Sequence, residues 1–508
     1  MNNEKKYVVA IDSGTTSCRT IIFDKQGRNV SLAQAEFTQF FPKSGWVEHD
    51  PLEIWSAQLG TLQSAKAKAS IRSENIAAVG ITNQRETVVL WDKETGLPVY
   101  NAIVWQDRRT SDFCDELIKA GYGEKITQKT GLIINPYFSA TKIRWILKNV
   151  PEAANKLTQN KLLAGTIDTW LIWKLTNGKV HATDVTNASR TMLFNINTLQ
   201  WDEDILKLLG IPKEILPEVK SSSEVYGIID PKMLSNRTTA QVPITGVAGD
   251  QQSSLFGQLC TEVGMVKNTY GTGCFTLVNI GTKPIISKNQ LVTTIAWKIG
   301  NQPTVYALEG SVFVAGSAIK WLRDSIKIIY SAEECDFYCN LVKDNTQSIY
   351  MVPSFTGLGA PYWDSNSRGA IFGLERGTKR EHVVKATVES IAYQSNDLLS
   401  AMEKDIGRKI TVMKVDGGAS DSNYLMQFQA SISDLEIQRP TNTETTALGA
   451  AYLAGLCSGF WNSIDELKEL NKIDKSFTPN MSKQEVEQKT KGWKEAVNRT
   501  LNWTKAIQ

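Results

Sequence analysis

Histidine is nearly missing from this chain: three occur in 508 residues. The seven cysteines form no C-x-x-C pair, and Cys335 and Cys339, four apart, have no histidine beside them. A structural zinc site is therefore not expected. An odd number of unpaired thiols in a large chain fits a reducing compartment, so a cytoplasmic location is expected. No block of Lys or Arg is present. The formal charge is only +3, and the 14 tryptophans are scattered rather than interleaved with basic residues, which argues against a nucleic-acid partner. The start, Met1 to Lys6, is followed by only a short apolar run, so no secretory leader is expected. The uncharged stretch Thr445 to Trp461 is short for a membrane span, and Gly449, Gly455 and Gly459 suit a closely packed buried helix; no membrane insertion is expected. Also absent are G-x-x-x-x-G-K-[ST], G-x-G-x-x-G, and H-R-D with D-F-G, which excludes a P-loop, a Rossmann dinucleotide site and a protein kinase.

What is present is ordinary in bulk and specific in detail. Hydrophobic residues make up 42% and charged residues 21%, as in a soluble globular protein. The length asks for two large domains or more. Strand-like runs alternate with helical stretches, the pattern of an α/β protein. Ala78 to Ile81, Thr87 to Trp91, Leu162 to Ile167 and Val242 to Val247 read as strands, Thr169 to Leu175 as a helix, and Ser482 to Lys505 as an amphipathic helix. A boundary near 255 divides the chain into 1–254 and 255–508.

Two hairpins carry the chemistry. Tyr7 to Ile11 is an apolar run ending on Asp12; the turn Ser13-Gly14-Thr15-Thr16-Ser17 follows, then Arg19 and a second apolar run, Thr20 to Phe23. Glycine lets the backbone approach a ligand, free N–H and O–H groups hold phosphate oxygens, and Asp12 suits a magnesium ion held through water. Alone, the same residues also describe a plain turn. The pattern recurs around Tyr270-Gly271-Thr272-Gly273, half a chain later. Two such hairpins suggest two related domains, each offering a phosphate loop to a shared cleft. A third glycine turn, Val415-Asp416-Gly417-Gly418-Ala419-Ser420, suits the adenosine end of a nucleotide.

The order of further segments is more specific still. They include Gly45-Trp46-Val47-Glu48-His49-Asp50-Pro51, Asn83-Gln84-Arg85-Glu86, Tyr137-Phe138-Ser139-Ala140-Thr141-Lys142, Gly249-Asp250-Gln251-Gln252, Asn268 to Phe275 and Gly357 to Asp364. With the hairpins, this series resembles the FGGY carbohydrate kinase family of the actin-like ATPase superfamily, from Lys6 to about Trp503. Asn83 to Glu86 resembles its glycerol-phosphorylating branch.

The resemblance implies two actin-like, ribonuclease H-like α/β domains with the active site in the cleft between them. It implies ATP-dependent phosphorylation of glycerol to sn-glycerol 3-phosphate, with ATP and Mg2+ bound and a homodimer or homotetramer as the assembly. Asp250 becomes the base for the attacking hydroxyl, although Gly-Asp before a helix also suits an N-cap. Arg85, Glu86, Tyr137, Asp250 and Gln251 become glycerol ligands, and Trp105 and Phe275 the apolar wall along its carbons. Without the resemblance, Arg85 and Glu86 would read as an exposed ion pair, and the two aromatics as core. Thr15, Thr16, Ser17 and Arg19 match the first phosphate loop, Gly271 and Thr272 the second. Gly316, Lys320, Gly418 and Ser422 match nucleotide contacts, and Asp12 the metal position. Ser13, Cys18, Lys320 and Ser422 depart from the family's usual Gln, Ser, Gln and Asn. The span Ile228 to Gln241 has no glycine and no histidine, and its two basic residues are Lys232 and Arg237. It lacks the loop that binds a sugar bisphosphate in some relatives.

Overall fold

The computed structural model describes residues 4–235, 238–342 and 348–507; Arg237 lies outside them. Two mixed sheets organise the chain. The first is built from β1 (Tyr7–Ser13), β2 (Ser17–Phe23), β3 (Asn29–Glu36), β4 (Ile76–Asn83), β5 (Ser223–Ile228) and β6 (Pro243–Gly249), in the spatial order β5-β6-β4-β1-β2-β3. The second is built from β7 (Val266–Tyr270), β8 (Cys274–Gly281), β9 (Val292–Trp297), β10 (Val305–Val312), β11 (Val412–Asp416), β12 (Glu436–Pro440) and β13 (Ile473–Phe477). Its order is β9-β10-β8-β7-β11-β12-β13.

The sheets repeat one topology. In the first, β1, β2 and β3 run antiparallel in turn, β4 and β6 lie parallel to β1, and β5 closes the edge antiparallel to β6. In the second, β7, β8 and β10 run antiparallel, β11 and β12 lie parallel to β7, and β13 closes the edge antiparallel to β12. The expected likeness of the two hairpins thus extends across six strands of each sheet.

Strand composition explains how the layers stack. Side chains alternate across a sheet. Val9, Ile11, Ile22, Val79 and Ile81 face a core shared with Ile54 and Leu62 of α1 (Pro51–Lys68). On the other face Val8, Ala10, Ile21, Phe23 and Ala78 join a second core. Strands covered on both faces read as continuous apolar runs, and this one does.

The second face is also where the domains interlock. Helices α2 (Asp250–Gly257) and α4 (Thr445–Cys457) follow the corresponding strands β6 and β12, and both contribute to that core. The α4 backbone lies against the first sheet. A Cβ on Gly80 would come 2.1 Å from the Ala450 oxygen, and one on Gly246 2.4 Å from the Ala454 nitrogen. The two helices touch backbone to backbone: a Cβ on Gly449 would lie 1.8 Å from the Ser253 oxygen. The expected boundary at 254/255 falls inside α2. The stretch 445–461 is thus a buried helix in its first part, and among the described residues no helix is long and apolar enough to cross a membrane. The C-terminal helix is shorter than its pattern predicts. It runs Lys483–Asn498 and stops at a turn where Asn502 has φ 55°, followed by a short helix at Trp503–Ala506.

Candidate active site

The first hairpin tip is held from behind by the turn that follows β4. Gln84 N–H donates to the Ser13 carbonyl at 2.8 Å, and Gln84 Nε2 to the Gly14 carbonyl at 2.9 Å. Thr15 accepts from the Trp105 indole N–H at 3.0 Å, Thr16 is exposed, and Ser17 accepts from Gln34 at 3.2 Å. Arg19 pairs with Glu444 (3.0 Å), which ties β2 to the residue preceding α4. Burial pushes the Asp12 carboxyl up to about 7; Arg19 opposes this, while Asp250 and Glu444 add to it. A carboxyl in need of positive charge suits a magnesium ion. No cluster of three possible protein ligands exists among the described residues.

The same turn delivers Arg85 and Glu86 into the cleft. Glu86 adopts φ 63°, a conformation unfavourable for a residue with a side chain. The turn is held by Thr87 N–H donating to the Arg85 carbonyl (2.7 Å) and Ser139 Oγ donating to that of Glu86 (3.0 Å). Arg85 Nε lies 3.1 Å from Asp250 Oδ1, and its Nη2 lies 3.4 Å from the Tyr137 hydroxyl. Gly249 permits this, since a Cβ there would meet the Arg85 stem at 2.7 Å. Asp250 is the first residue of α2 rather than its cap. Gly249 takes the cap position, and the Asp250 carboxylate accepts only the neighbouring Gln251 N–H (2.8 Å) from its own helix. Arg85 and Glu86 are buried, whereas the Asp250 side chain keeps 29% exposure, enough to meet a molecule in the cleft. Burial pushes the Asp250 carboxyl above its usual range against the pull of Arg85 and Lys267.

Trp105 stands edge-on to Tyr137 (5.7 Å between ring centres) and to Phe275 of β8 (6.3 Å), so the aromatic side of the cluster is built by both domains. Gln251 is drawn to one edge, its Oε1 accepting from Lys267 Nζ at 2.5 Å.

The second hairpin tip rests on the start of α3 (Gly316–Asp324). Gly316 N–H donates to the Gly271 carbonyl (3.0 Å), and Ala315 N–H to that of Thr272 (2.9 Å). A Cβ on Gly316 would lie 2.6 Å from the Gly271 oxygen, so glycine is needed there for packing alone. Thr272 and Lys320 are exposed. Gly417, with φ 84°, brings the third glycine turn against the Tyr270 backbone, and Gly418 beside it is exposed. Ser422 is engaged elsewhere: it caps the helix Asn423–Ser433 and donates to Asp336.

Three buried charges escape a reading of the sequence. Glu309 of β10 accepts from both terminal nitrogens of Arg85, at 2.5 and 2.8 Å. Arg190 donates to Glu86 (2.6 Å) and to Glu309 (3.1 Å). Lys267 of β7 sits behind Gln251, and burial brings its ammonium down to about 8. Against burial, Arg190 and Arg85 hold the Glu309 carboxyl at about 2. The signal available was a lone carboxylate inside the apolar strand Val305–Val312, since a buried charge demands a partner.

Comparison with known proteins adds two family models and close relatives. The N-terminal domain model of the FGGY family of carbohydrate kinases matches residues 7–257, and its C-terminal domain model residues 266–457. The chain is 78% identical to a glycerol kinase of Malacoplasma penetrans over 507 residues, covering 100% of both chains. It is 68% identical to a glycerol kinase of Mycoplasmopsis pulmonis over 508 residues, again covering 100% of both. Among solved structures it resembles Plasmodium falciparum glycerol kinase with ADP, at 38% identity and a TM-score of 0.91, covering 98% of this chain and 99% of that one. With both domain models matched in sequence order and both sheets built on one plan, the chain belongs to the FGGY family of carbohydrate kinases.

Proposed function

We propose that this chain is an ATP:glycerol 3-phosphotransferase, converting glycerol to sn-glycerol 3-phosphate. The observation that carries the reading is the cluster of Arg85, Glu86, Tyr137 and Asp250 facing Trp105 and Phe275: polar groups on one side and rings on the other. A three-carbon triol needs that division, because its hydroxyls seek donors and acceptors while its carbons seek an apolar surface. Glycerol kinases 78% and 68% identical over the full length support the same substrate.

In this reading Asp250 accepts the proton of the attacking terminal hydroxyl. Its raised pKa makes it a better base than an exposed carboxylate, and the positive charge of Arg85 lies beside it, with Nε 3.1 Å from Oδ1. Arg85 donates to glycerol, Glu86 accepts, and Tyr137 does both. The N–H and hydroxyl groups of Thr15, Thr16 and Ser17, with Arg19, receive one part of the triphosphate; Gly271 and Thr272 receive the other. Gly316, Lys320, Gly418 and Ser422 stand on the nucleoside side. Asp12 would hold a magnesium ion, which when bound would supply positive charge against the phosphates. Alignment and charge neutralisation then carry most of the catalysis. We assign the cytoplasm as its location and a homodimer or homotetramer as its assembly.

A coupled assay of ADP release with glycerol, erythritol, xylulose and dihydroxyacetone tests this. Glycerol is expected to give the highest kcat/KM; faster turnover of the pentulose would overturn the assignment.

A further inference from the structure

The charges around Arg85 form a closed ring that the two domains share. Glu309, contributed by β10, grips both terminal nitrogens of Arg85 and also accepts from Arg190 Nη2. Arg190 reaches Glu86 through Nε, and Glu86 lies 3.8 Å from Arg85 Nε. Two guanidinium groups and two carboxylates alternate, so their formal charges cancel. All four side chains are at most 2% exposed.

We infer that Glu309 and Arg190 are positioning residues for glycerol: Glu309 fixes the plane of the Arg85 guanidinium, and Arg190 fixes the Glu86 carboxylate. The inference rests on the reading of Arg85 and Glu86 as glycerol ligands. A guanidinium on a flexible stem is fixed in direction when a carboxylate takes both of its terminal nitrogens. With those nitrogens held, Nε lies 3.1 Å from Asp250 Oδ1 as the nearest positive charge to that carboxylate. Glu86 sits on a strained turn, and such a conformation persists only where its surroundings over-determine it. Arg190 supplies that hold at a cost, since its Nη1 is buried without a hydrogen-bond partner. Its guanidinium is seated beside the rings of Tyr137 and Phe138, at 5.5 and 5.3 Å. A group serving only to balance charge has no need of so constrained a seat.

Glu309 also ties the clamp to the second domain. It pairs in register with Leu277 of β8, the strand that carries Phe275. The second domain thus delivers the apolar wall and the anchor of Arg85 together.

The test uses full-length Glu309→Gln and Arg190→Lys, with glycerol and ATP each varied at saturation of the other. Glycerol binding without nucleotide is measured by calorimetry, and melting temperature is followed alongside. Both variants are expected to raise the glycerol KM and Kd about 10- to 100-fold, the usual worth of a hydrogen bond between charged groups. The ATP KM should stay within about twofold, as no residue of the ring touches a hairpin tip. Equal losses for both substrates, or unchanged glycerol affinity, would overturn the inference. Should Glu309→Gln fail to fold, Glu309→Gln with Arg190→Gln removes one charge of each sign and keeps the site balanced. Weak glycerol binding in that folded double variant supports positioning; native affinity would show mere charge balance and refute it. If the unaltered protein fails to phosphorylate glycerol, the functional reading fails by itself, and the calorimetric comparison still judges the ring.

Discussion

Replacing Asp250 by Asn separates proton transfer from architecture. The amide oxygen of Asn still accepts the Gln251 N–H at 2.8 Å and keeps its place 3.1 Å from Arg85 Nε, losing only the charge of the ion pair. Asp250 is not the cap of α2, so no helix-capping bond is lost. What disappears is the ability to take a proton from the glycerol hydroxyl. A positioned general base is worth about 10²–10⁴-fold in rate, which is about 3–5 kcal/mol in the barrier. The expected result is a kcat lower by that factor with glycerol affinity within a fewfold of normal. The pH profile adds a second readout. Only ionised Asp250 is active, and burial raises its pKa. Activity should therefore rise with pH through an acid limb lying above the ordinary carboxylate range, and the Asn variant should lose that limb. Steady-state ADP release across pH, with glycerol binding measured separately, checks both. A variant with near-normal kcat would show that Asp250 is structural and would refute the reasoning.

Asp12→Asn should raise the magnesium concentration needed for half-maximal rate while leaving glycerol binding unchanged; in the unaltered protein magnesium affinity should weaken as pH falls below about 7, because the ion needs the ionised carboxyl. An unchanged magnesium titration would remove Asp12 from the metal site. Gly80→Ala places a methyl 2.1 Å from the Ala450 oxygen, so the α4 backbone must shift, and a loss of about 1–3 kcal/mol in chemical denaturation is expected; an unaltered midpoint would contradict the packing argument. Fructose 1,6-bisphosphate should inhibit weakly or not at all, since 228–241 offers no glycine for a close backbone cradle; saturable inhibition at micromolar concentration would count against this. Small-angle scattering should show a more compact particle with glycerol and a non-hydrolysable ATP analogue than without, as two hairpins on separate domains must meet one nucleotide; identical profiles at proven saturation would exclude substantial closure.

The fold was readable where local chemistry decides it. Apolar runs broken by small hydroxyl turns mark both hairpins, and the strands expected at Ala78–Ile81 and Val242–Val247 lie within or overlap β4 and β6. The glycine-rich stretch after Thr445 announces a helix needing close backbone contact, though not that it would lie on the first domain's sheet. Amphipathic spacing ran through the turn at Asn502, because periodicity records which face is apolar and not where the backbone breaks. Arg85, Glu86, Tyr137, Asp250, Trp105 and Phe275 were all named from motif order, and the folded chain brings them together. Glu309 and Arg190 were not named. Their partners lie 224 and 104 residues away in sequence, and a lone buried charge states that a partner exists without saying which. Ser422 was named from motif position, and the structure adds a local role: it caps the helix Asn423–Ser433 and donates to Asp336.

The central claim is that the Arg85–Asp250 cluster presents one terminal hydroxyl of glycerol to ATP. Phosphorus NMR of the product formed from glycerol, ATP and magnesium tests it most directly. The account predicts a single monoester resonance, that of glycerol 3-phosphate, growing in step with ADP. A phosphate on the central carbon, or inorganic phosphate released without any ester, would contradict it.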